Sequence, residues 1–97
     1  MIRSFGDQGT EDIFNRINSR AARKTCPQTI WPMVRRKLDQ LNAAVSLGSL
    51  DIPPGNRLEA LRGKRKGQHS IRINAQYRVC FVWTAEGAEL VEVVDYH

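Results

Sequence analysis

Apolar residues in the middle of the chain recur with the period of an amphipathic α-helix. In "WPMVRRKLDQLNAAV" they are spaced three or four positions apart, which predicts one buried helical stripe. The stripe consists of Trp31, Val34, Leu38, Leu41 and Val45. Either Pro27 or Pro32 suits the first turn of this helix. Arg35 and Asp39 fall outside the stripe at the i,i+4 spacing that supports a surface ion pair.

A second helical pattern lies closer to the amino terminus. In "GTEDIFNRI", Thr10 is a suitable N-cap, and Ile13, Phe14 and Ile17 share one helical face. The next segment, "NSRAARKTCP", either continues this helix or breaks it. The opening "MIRSF" has the composition of a short first strand.

The last forty residues alternate with the period of β-strands. "HSIRIN" places Ile71 and Ile73 on one face, with Ser70 and Arg72 on the other. "RLEAL", "YRVCFVW" and "AELVEVVDYH" predict further strands, and the last two carry apolar residues on both faces. We therefore predict a single α+β domain over residues 1–97, with two N-terminal helices packed on a C-terminal antiparallel sheet.

Composition narrows the class of protein. With 97 residues, 41% hydrophobic and 26% charged, the chain fits one ordinary globular domain. It shows neither a signal-peptide pattern nor a membrane-spanning run, so we expect a cytoplasmic protein. Cys26 and Cys80 form no CxxC motif, and we expect buried free thiols. His69 and His97 are too few for a convincing metal site, so we expect neither metal nor cofactor.

The positive charge is concentrated in one stretch. The net charge is +5, and seven cations against Glu59 give residues 57–78 a charge of +6, leaving −1 for the rest. These cations are Arg57, Arg62, Lys64, Arg65, Lys66, Arg72 and Arg78. Three of them occupy a turn between Gly63 and Gly67. Such a cluster predicts a polyanionic partner, although a solvated turn that aids solubility is the alternative for the turn alone.

Arg78 and the carboxyl-terminal tip are the strongest candidates for chemistry. An arginine in the middle of an apolar strand either pairs with Asp95 or Glu92, or presents a fixed guanidinium to a phosphate. The chain ends in Asp95, Tyr96 and His97, and strand alternation puts Tyr96 on the face opposite the other two. The ordinary pKa of histidine, near 6.5, suits proton transfer at neutral pH. The alternative is an inert polar tail.

These motifs together resemble a known family. "RLEALRGKRKGQHSIRINAQYRVCFVW" and the terminal "DYH", with "LGSLDIPPG" and "MIRSF", are similar to the HigB-type (plasmid maintenance killer) toxins of the RelE superfamily. The resemblance implies a RelE-like fold and the toxin of a type II toxin–antitoxin pair. It also implies a metal-independent endoribonuclease that cuts mRNA in the A site of the 70S ribosome, by attack of the RNA 2′-hydroxyl.

The resemblance further implies partners and residue roles. The antitoxin would be a HigA-like helix-turn-helix protein, through which alone the toxin would meet operator DNA. The implied catalytic residues are Arg62, Arg78, Asp95, Tyr96 and His97. Glu59 is a further catalytic candidate at a position where some members of the family have a histidine, and its alternative role is structural. The expected RNA and ribosome contacts are Arg35, Arg36, Lys37, Arg57, Lys64, Arg65, Lys66, His69 and Arg72. A ParE-like toxin acting on DNA gyrase without RNA chemistry, or a plain RNA-binding module, are the alternatives.

Overall fold

The computed structural model describes residues 1–52 and 54–96. Three α-helices precede four β-strands in this part of the chain. The helices are α1 (Gln8–Phe14), α2 (Arg20–Thr25) and α3 (Trp31–Ala43), and the strands are β1 (Glu59–Ala60), β2 (His69–Arg72), β3 (Tyr77–Thr84) and β4 (Gly87–Asp95). The strands form one antiparallel sheet in the order β1-β2-β3-β4. The predicted α+β architecture is therefore confirmed, with one helix more than expected.

The extra helix comes from the segment that the sequence left undecided. Asp7, not Thr10, caps α1, because the Asp7 carboxylate accepts a hydrogen bond from the backbone N–H of Thr10 at 2.6 Å. Helix α1 ends at Phe14, so Ile17 lies beyond it and is half exposed. The Ser19 hydroxyl then accepts from the N–H of Ala22 and starts α2 as a separate helix.

The helical stripe of α3 is buried as predicted, except at its end. Trp31, Val34, Leu38 and Leu41 are buried, and Pro32 lies in the first turn of the helix. Val45 is 92% exposed because α3 ends at Ala43. The ion pair expected within α3 is wrong: Asp39 pairs with Arg16 at 3.5 Å, and the Nε of Arg35 donates to the carbonyl of Ile13.

The helices cover one face of the sheet. Their apolar side chains pack on Ile71, Val79, Phe81 and Val93 in a single core. The hydroxyl of buried Thr10 accepts a hydrogen bond from the backbone N–H of Val93 at 2.9 Å. This contact joins the first helix to the last strand, and it fixes β4 against the helical layer.

Two predicted strands are shorter than expected. The segment "MIRSF" makes only isolated parallel bridges to β4, at Ile2–Ala88 and Phe5–Val91, and "RLEAL" contributes two residues to β1. Between Cys80 and Val82 the register of β3 against β4 shifts, and Leu90 adopts a positive φ of 52° in the facing bulge. Within the described ranges, no helix has both the length and the apolar character needed to cross a membrane.

Candidate functional site

Arg78 lies at the centre of the sheet face that the helices leave uncovered. It is opposite Arg72 of β2 and Val94 of β4, and its side chain is 10% exposed. Its Nε donates to the Ser70 hydroxyl at 2.7 Å, and its Nη2 donates to the carbonyl of Arg57. Two of the three guanidinium nitrogens are therefore bound within the protein, which fixes the plane of the group.

The third nitrogen of this guanidinium faces a carboxylate, and the guanidinium as a whole lies near an aromatic ring. The Nη1 of Arg78 lies 3.9 Å from Oε1 of Glu59, an ion-pair contact beyond hydrogen-bond distance. The Glu59 side chain is 53% exposed. The Cζ of Arg78 lies 5.8 Å from the centroid of the Tyr96 ring, within the range of a cation–π interaction. Nη1 is thus the nitrogen of Arg78 best placed to donate to an incoming anion.

The residues of the carboxyl-terminal tip divide between the two faces of the sheet. Asp95 is opposite Tyr77, so it lies on the face away from Arg78, and its carboxylate accepts from Nε2 of Gln76 at 3.0 Å. Tyr96 follows Val94 by two positions and lies on the Arg78 side, as alternation predicted. His97, the third residue expected at the site, lies outside the described residues.

The cationic turn is closed by its own backbone. The backbone N–H of Leu61 donates to the carbonyl of Gln68 at 2.9 Å, and a 3-10 turn occupies Gly63–Arg65. Gly63 and Gly67 have φ angles of +64° and +95°, which favour glycine at both ends. The exposed residues of the turn include Arg62, Lys64 and Lys66. They can meet a polyanion without rearrangement of the fold.

Arg65 differs from its neighbours in this turn. Its Nη1 donates to Oε1 of Glu92 at 2.7 Å and to Oε1 of Gln68 at 3.0 Å. The hydrogen bond to Glu92 raises the pKa of the Arg65 guanidinium above its ordinary value. The alternative in which Arg78 pairs with Glu92 is therefore wrong, because Arg65 binds this carboxylate.

A further basic group combines residues from α3 and β2. Lys37 lies within electrostatic range of Arg36 and Arg72, and its Nζ donates to Oδ1 of the buried Asn56. Burial lowers the pKa of Lys37, and the two arginines lower it further. Arg35 instead turns towards the core, with its Cζ 5.7 Å from the Trp31 ring centroid.

Two residues that the sequence singled out are placed by packing. His69 is opposite Phe81, on the helix-covered face, and the two rings stack with centroids 6.3 Å apart. Its Nδ1 is buried, with no hydrogen-bond partner in the described chain. The thiols of Cys26 and Cys80 are buried and free, as expected, and burial raises the pKa of Cys26 to about 11. No metal-binding group of three His, Cys, Asp or Glu side chains is found among residues 1–52 and 54–96.

Sequence reasoning missed the part that Ser70 plays in this site, and it considered Glu92 only as a partner of Arg78. Ser70 fixes the Nε of Arg78, and Glu92 binds the side chain of Arg65. Both lie in one row across the sheet, where Glu59, Ser70, Cys80 and Glu92 are successive neighbours. Strand alternation gives each of them a face, but the row depends on the register of three strand pairs. The sequence alone carries no direct signal of that register.

The assembled face can bind an anion and place it beside a proton acceptor. Arg78 offers a fixed cationic donor, the exposed turn adds positive charge, and Glu59 supplies a carboxylate next to the guanidinium. Tyr96 adds an exposed aromatic surface over the same guanidinium. These are the elements required to hold a phosphodiester with one base stacked beside it.

The sequence is similar to proteins of a toxin family along almost its whole length. Residues 3–97 match the family described as the RelE-like toxin of the type II toxin-antitoxin system HigB. Toxin HigB-1 of Vibrio cholerae serotype O1 is 46% identical over 71 residues, which cover 73% of this chain and 74% of that protein. An uncharacterised protein of Haemophilus influenzae is 36% identical over 64 residues, covering 66% of this chain and 61% of that protein.

Solved structures with a similar fold come from Staphylococcus aureus. A chain of the YoeB-YefM complex superposes with a TM-score of 0.60 at 12% identity, covering 100% of this chain and 98% of that one. A chain of the heterotetrameric YoeB-YefM toxin-antitoxin complex gives a TM-score of 0.54 at 15% identity, with the same coverage. At these identities the likeness concerns the fold.

Proposed function

Because this chain belongs to the HigB family of RelE-like toxins from type II toxin–antitoxin systems, we propose that it is a ribosome-dependent endoribonuclease. The proposed substrate is mRNA in the A site of the 70S ribosome, and cleavage there stops translation and growth. The observation that carries the proposal is the buried Arg78 guanidinium, whose Nη1 lies near Glu59 and whose Cζ lies 5.8 Å from the centroid of the Tyr96 ring.

The proposed reaction is an internal phosphoryl transfer. The RNA 2′-oxygen attacks the adjacent phosphorus, the bond from phosphorus to the 5′-oxygen breaks, and the products are a 2′,3′-cyclic phosphate and a 5′-hydroxyl. The 2′ proton passes to a base, and a proton from an acid goes to the leaving 5′-oxygen. In the transition state the phosphorane carries extra negative charge, which fixed cationic donors stabilise.

We assign these roles by proximity to Arg78. Arg78 binds a non-bridging phosphate oxygen through Nη1, and Arg62 from the exposed turn approaches the same group. Oε1 of Glu59 lies 3.9 Å from that guanidinium nitrogen, so we propose this carboxylate as the base. The Tyr96 ring stacks on the base next to the scissile bond. We retain His97 as the acid on the strength of the family resemblance, with Asp95 orienting the tip from the other face.

Binding to the ribosome is assigned to the exposed cations. Lys64 and Lys66 of the turn, with Arg36, Lys37, Arg57 and Arg72, would contact phosphates of ribosomal RNA. Arg35, Arg65 and His69 make contacts within the protein, so we give them a supporting part in this surface. The reaction requires no metal or other cofactor, and its setting is the cytoplasm.

The proposed protein partner is a HigA-like helix-turn-helix antitoxin. Membership of a type II toxin–antitoxin family supports this partner, and so do the two structural neighbours, which are chains of YoeB-YefM toxin-antitoxin complexes. We propose that the antitoxin neutralises the toxin and binds operator DNA, so that the toxin reaches DNA only within the complex.

The test is primer extension on mRNA translated in a purified system to which the protein is added. The proposal predicts cuts at codon-linked positions that require ribosomes, and their loss with Arg78→Met. Lys24→Gln, which removes one charge from the exposed surface of α2, is the matched control and should cut normally. A gyrase supercoiling assay runs beside it. If the protein inhibited supercoiling and left mRNA intact, it would be a gyrase toxin and not a nuclease. If it bound RNA without either effect, it would be a non-catalytic RNA-binding module.

A further inference from the structure

The ion pair between Arg65 and Glu92 connects the cationic turn to the central part of β4. The Arg65 side chain is 34% exposed and the Glu92 side chain 27% exposed, so the 2.7 Å contact between them is partly shielded from solvent. Gln68 accepts a second hydrogen bond from the same Arg65 nitrogen at 3.0 Å. One side chain therefore holds both the strand and the end of its own turn.

The Glu92 carboxylate is also restrained by the segment that precedes α1. Gly6 packs against Glu92 so closely that a Cβ at residue 6 would lie 3.1 Å from Glu92 Oε2. The backbone N–H of Gly6 donates to the carbonyl of Val91 at 2.8 Å, which keeps this segment on β4. The position of Glu92 is thus set by the sheet and by the segment before α1, not by the turn that it binds.

Glu92 lies next to the Arg78 site but does not belong to it. Glu92 is opposite Cys80, two positions along β3 from Arg78, and two positions before Val94 on β4. Tyr96 is within electrostatic range of Arg65. The pair therefore joins the turn that carries Arg62 and Lys64 to β4, the strand that pairs with the strand of Arg78 and ends next to Tyr96.

From this geometry we propose that Arg65 and Glu92 are positioning residues, which clamp the cationic turn so that Arg62 meets the phosphate held by Arg78. This inference rests on the proposed function. An exposed arginine that contributed only general attraction to RNA would be expected to keep its donors in water. Arg65 instead forms an ion pair with a protein carboxylate, and the neighbouring exposed cations remain available to bind RNA.

The proposal separates the rate of cleavage from ribosome affinity. In Glu92→Gln the turn keeps its sequence and all its cations but loses the charged partner of Arg65. A misplacement of about 1 Å costs up to a hundredfold in rate, so we expect single-turnover cleavage at saturating ribosome concentration to fall between about tenfold and a hundredfold. The ribosome concentration that gives half-maximal cleavage should change by less than about threefold, because the cations remain.

Hydrogen exchange measures the clamp without any RNA. The backbone N–H groups of Arg65, Lys66 and Gln68 donate to carbonyls within the turn, so their exchange reports its order. We expect faster exchange at these three amides in Glu92→Gln than in the wild type. Glu86→Gln is the matched control, because it removes an exposed carboxylate from the β3–β4 turn, and it should leave both exchange and cleavage unchanged.

Two further variants keep the test decisive. Arg65→Lys retains a charged donor for Glu92 and should recover part of the cleavage rate that Arg65→Gln loses. The double variant Arg65→Glu/Glu92→Arg restores an ion pair with the charges exchanged. Its cleavage rate should be higher than the rate obtained by multiplying the fractional losses of the two single variants. If Glu92→Gln fails to fold by circular dichroism, these variants decide the question through the same two measurements.

The outcomes separate the clamp from the proposed function. Faster exchange with a wild-type cleavage rate in Glu92→Gln would reject the positioning role and leave the nuclease intact. Unchanged exchange would reject the clamp itself. If Arg65→Gln raised the ribosome concentration needed for half-maximal cleavage and left the maximal rate unchanged, Arg65 would be an RNA contact instead of a positioning residue. If the wild-type protein cuts no RNA on ribosomes, the nuclease is rejected, and the exchange rates still decide whether the pair clamps the turn.

Discussion

The two faces of the sheet are both buried, but different parts of the chain bury them. On the helix-covered face, Val79 and Phe81 of β3 pack into the apolar core. On the opposite face, Arg78 and Cys80 of the same strand lie beneath the turn around residues 57–66 and the end of β4. A single strand thus supports an apolar core on one face and a polar site on the other.

The two faces contribute differently to stability. Complete burial of a side chain such as that of Phe81 stabilises the fold by about 1.5–3 kcal/mol. Burial of a guanidinium costs free energy that its hydrogen bonds and ion pair only partly offset, and buried charges can often be replaced by apolar residues without loss of stability. The comparison indicates that the helix-covered face stabilises the fold and that Arg78, on the opposite face, serves binding or catalysis more than stability.

The largest expected effect is on stability, from a truncation in the apolar face. Phe81→Ala removes a fully buried ring and leaves a cavity, so we expect the free energy of unfolding to fall by about 3–5 kcal/mol. Urea unfolding followed by circular dichroism measures this loss. At low temperature, cleavage per folded molecule should remain near wild type. A loss below about 1 kcal/mol would contradict the division between the two faces.

The next effect is on catalysis, from an apolar residue on the polar face. In Arg78→Met the phosphorane loses its fixed donor, and we expect the single-turnover rate to fall by about two to three powers of ten. The free energy of unfolding should change by less than about 2 kcal/mol in either direction, because methionine fills much of the same space. Urea unfolding measures the effect on stability, and primer extension on the same variant measures the effect on cleavage. Strong destabilisation with normal cleavage per folded molecule would make Arg78 structural.

A smaller effect distinguishes the ring of Tyr96 from its hydroxyl. Tyr96→Ala removes both the contact with Arg78 and the stacking surface, worth about 1–3 kcal/mol, so we expect at least a tenfold loss of cleavage. Tyr96→Phe retains the ring and should cleave within about threefold of wild type. Single-turnover rates of the two variants give the answer. Equal losses would show that the hydroxyl transfers a proton.

The smallest effect concerns salt dependence. Lys64 is exposed in the turn, so Lys64→Gln should reduce the slope of log affinity against log salt by about 1, with no change in the maximal cleavage rate. Ribosome binding measured across a salt series gives this slope, and Lys24→Gln on α2 is the control of equal charge. A full reduction of the slope in the control would show that the effect reflects net charge and not the turn.

Local chemistry explains how much of the fold the sequence could predict. The period of the α3 stripe and the alternation in "HSIRIN" and "YRVCFVW" arise from neighbours along the chain, and these elements formed where predicted. The composition of the helix ends was less informative. Asp7, and not Thr10, is the N-cap of α1. The Thr10 hydroxyl instead accepts a hydrogen bond from the backbone N–H of Val93, 83 residues away.

The sequence by itself determined which residue types stand on each face of α3 and of the predicted strands, including the placement of Asp95 and Tyr96 on opposite sides at the end of the last strand. Only the tertiary structure decided which of them meet. Glu92 binds Arg65 and Glu59 approaches Arg78 because strand register and the path of the turn bring them together. Those choices depend on contacts between distant parts of the chain. A carboxylate has no preference between two arginines until the fold sets its distance from each.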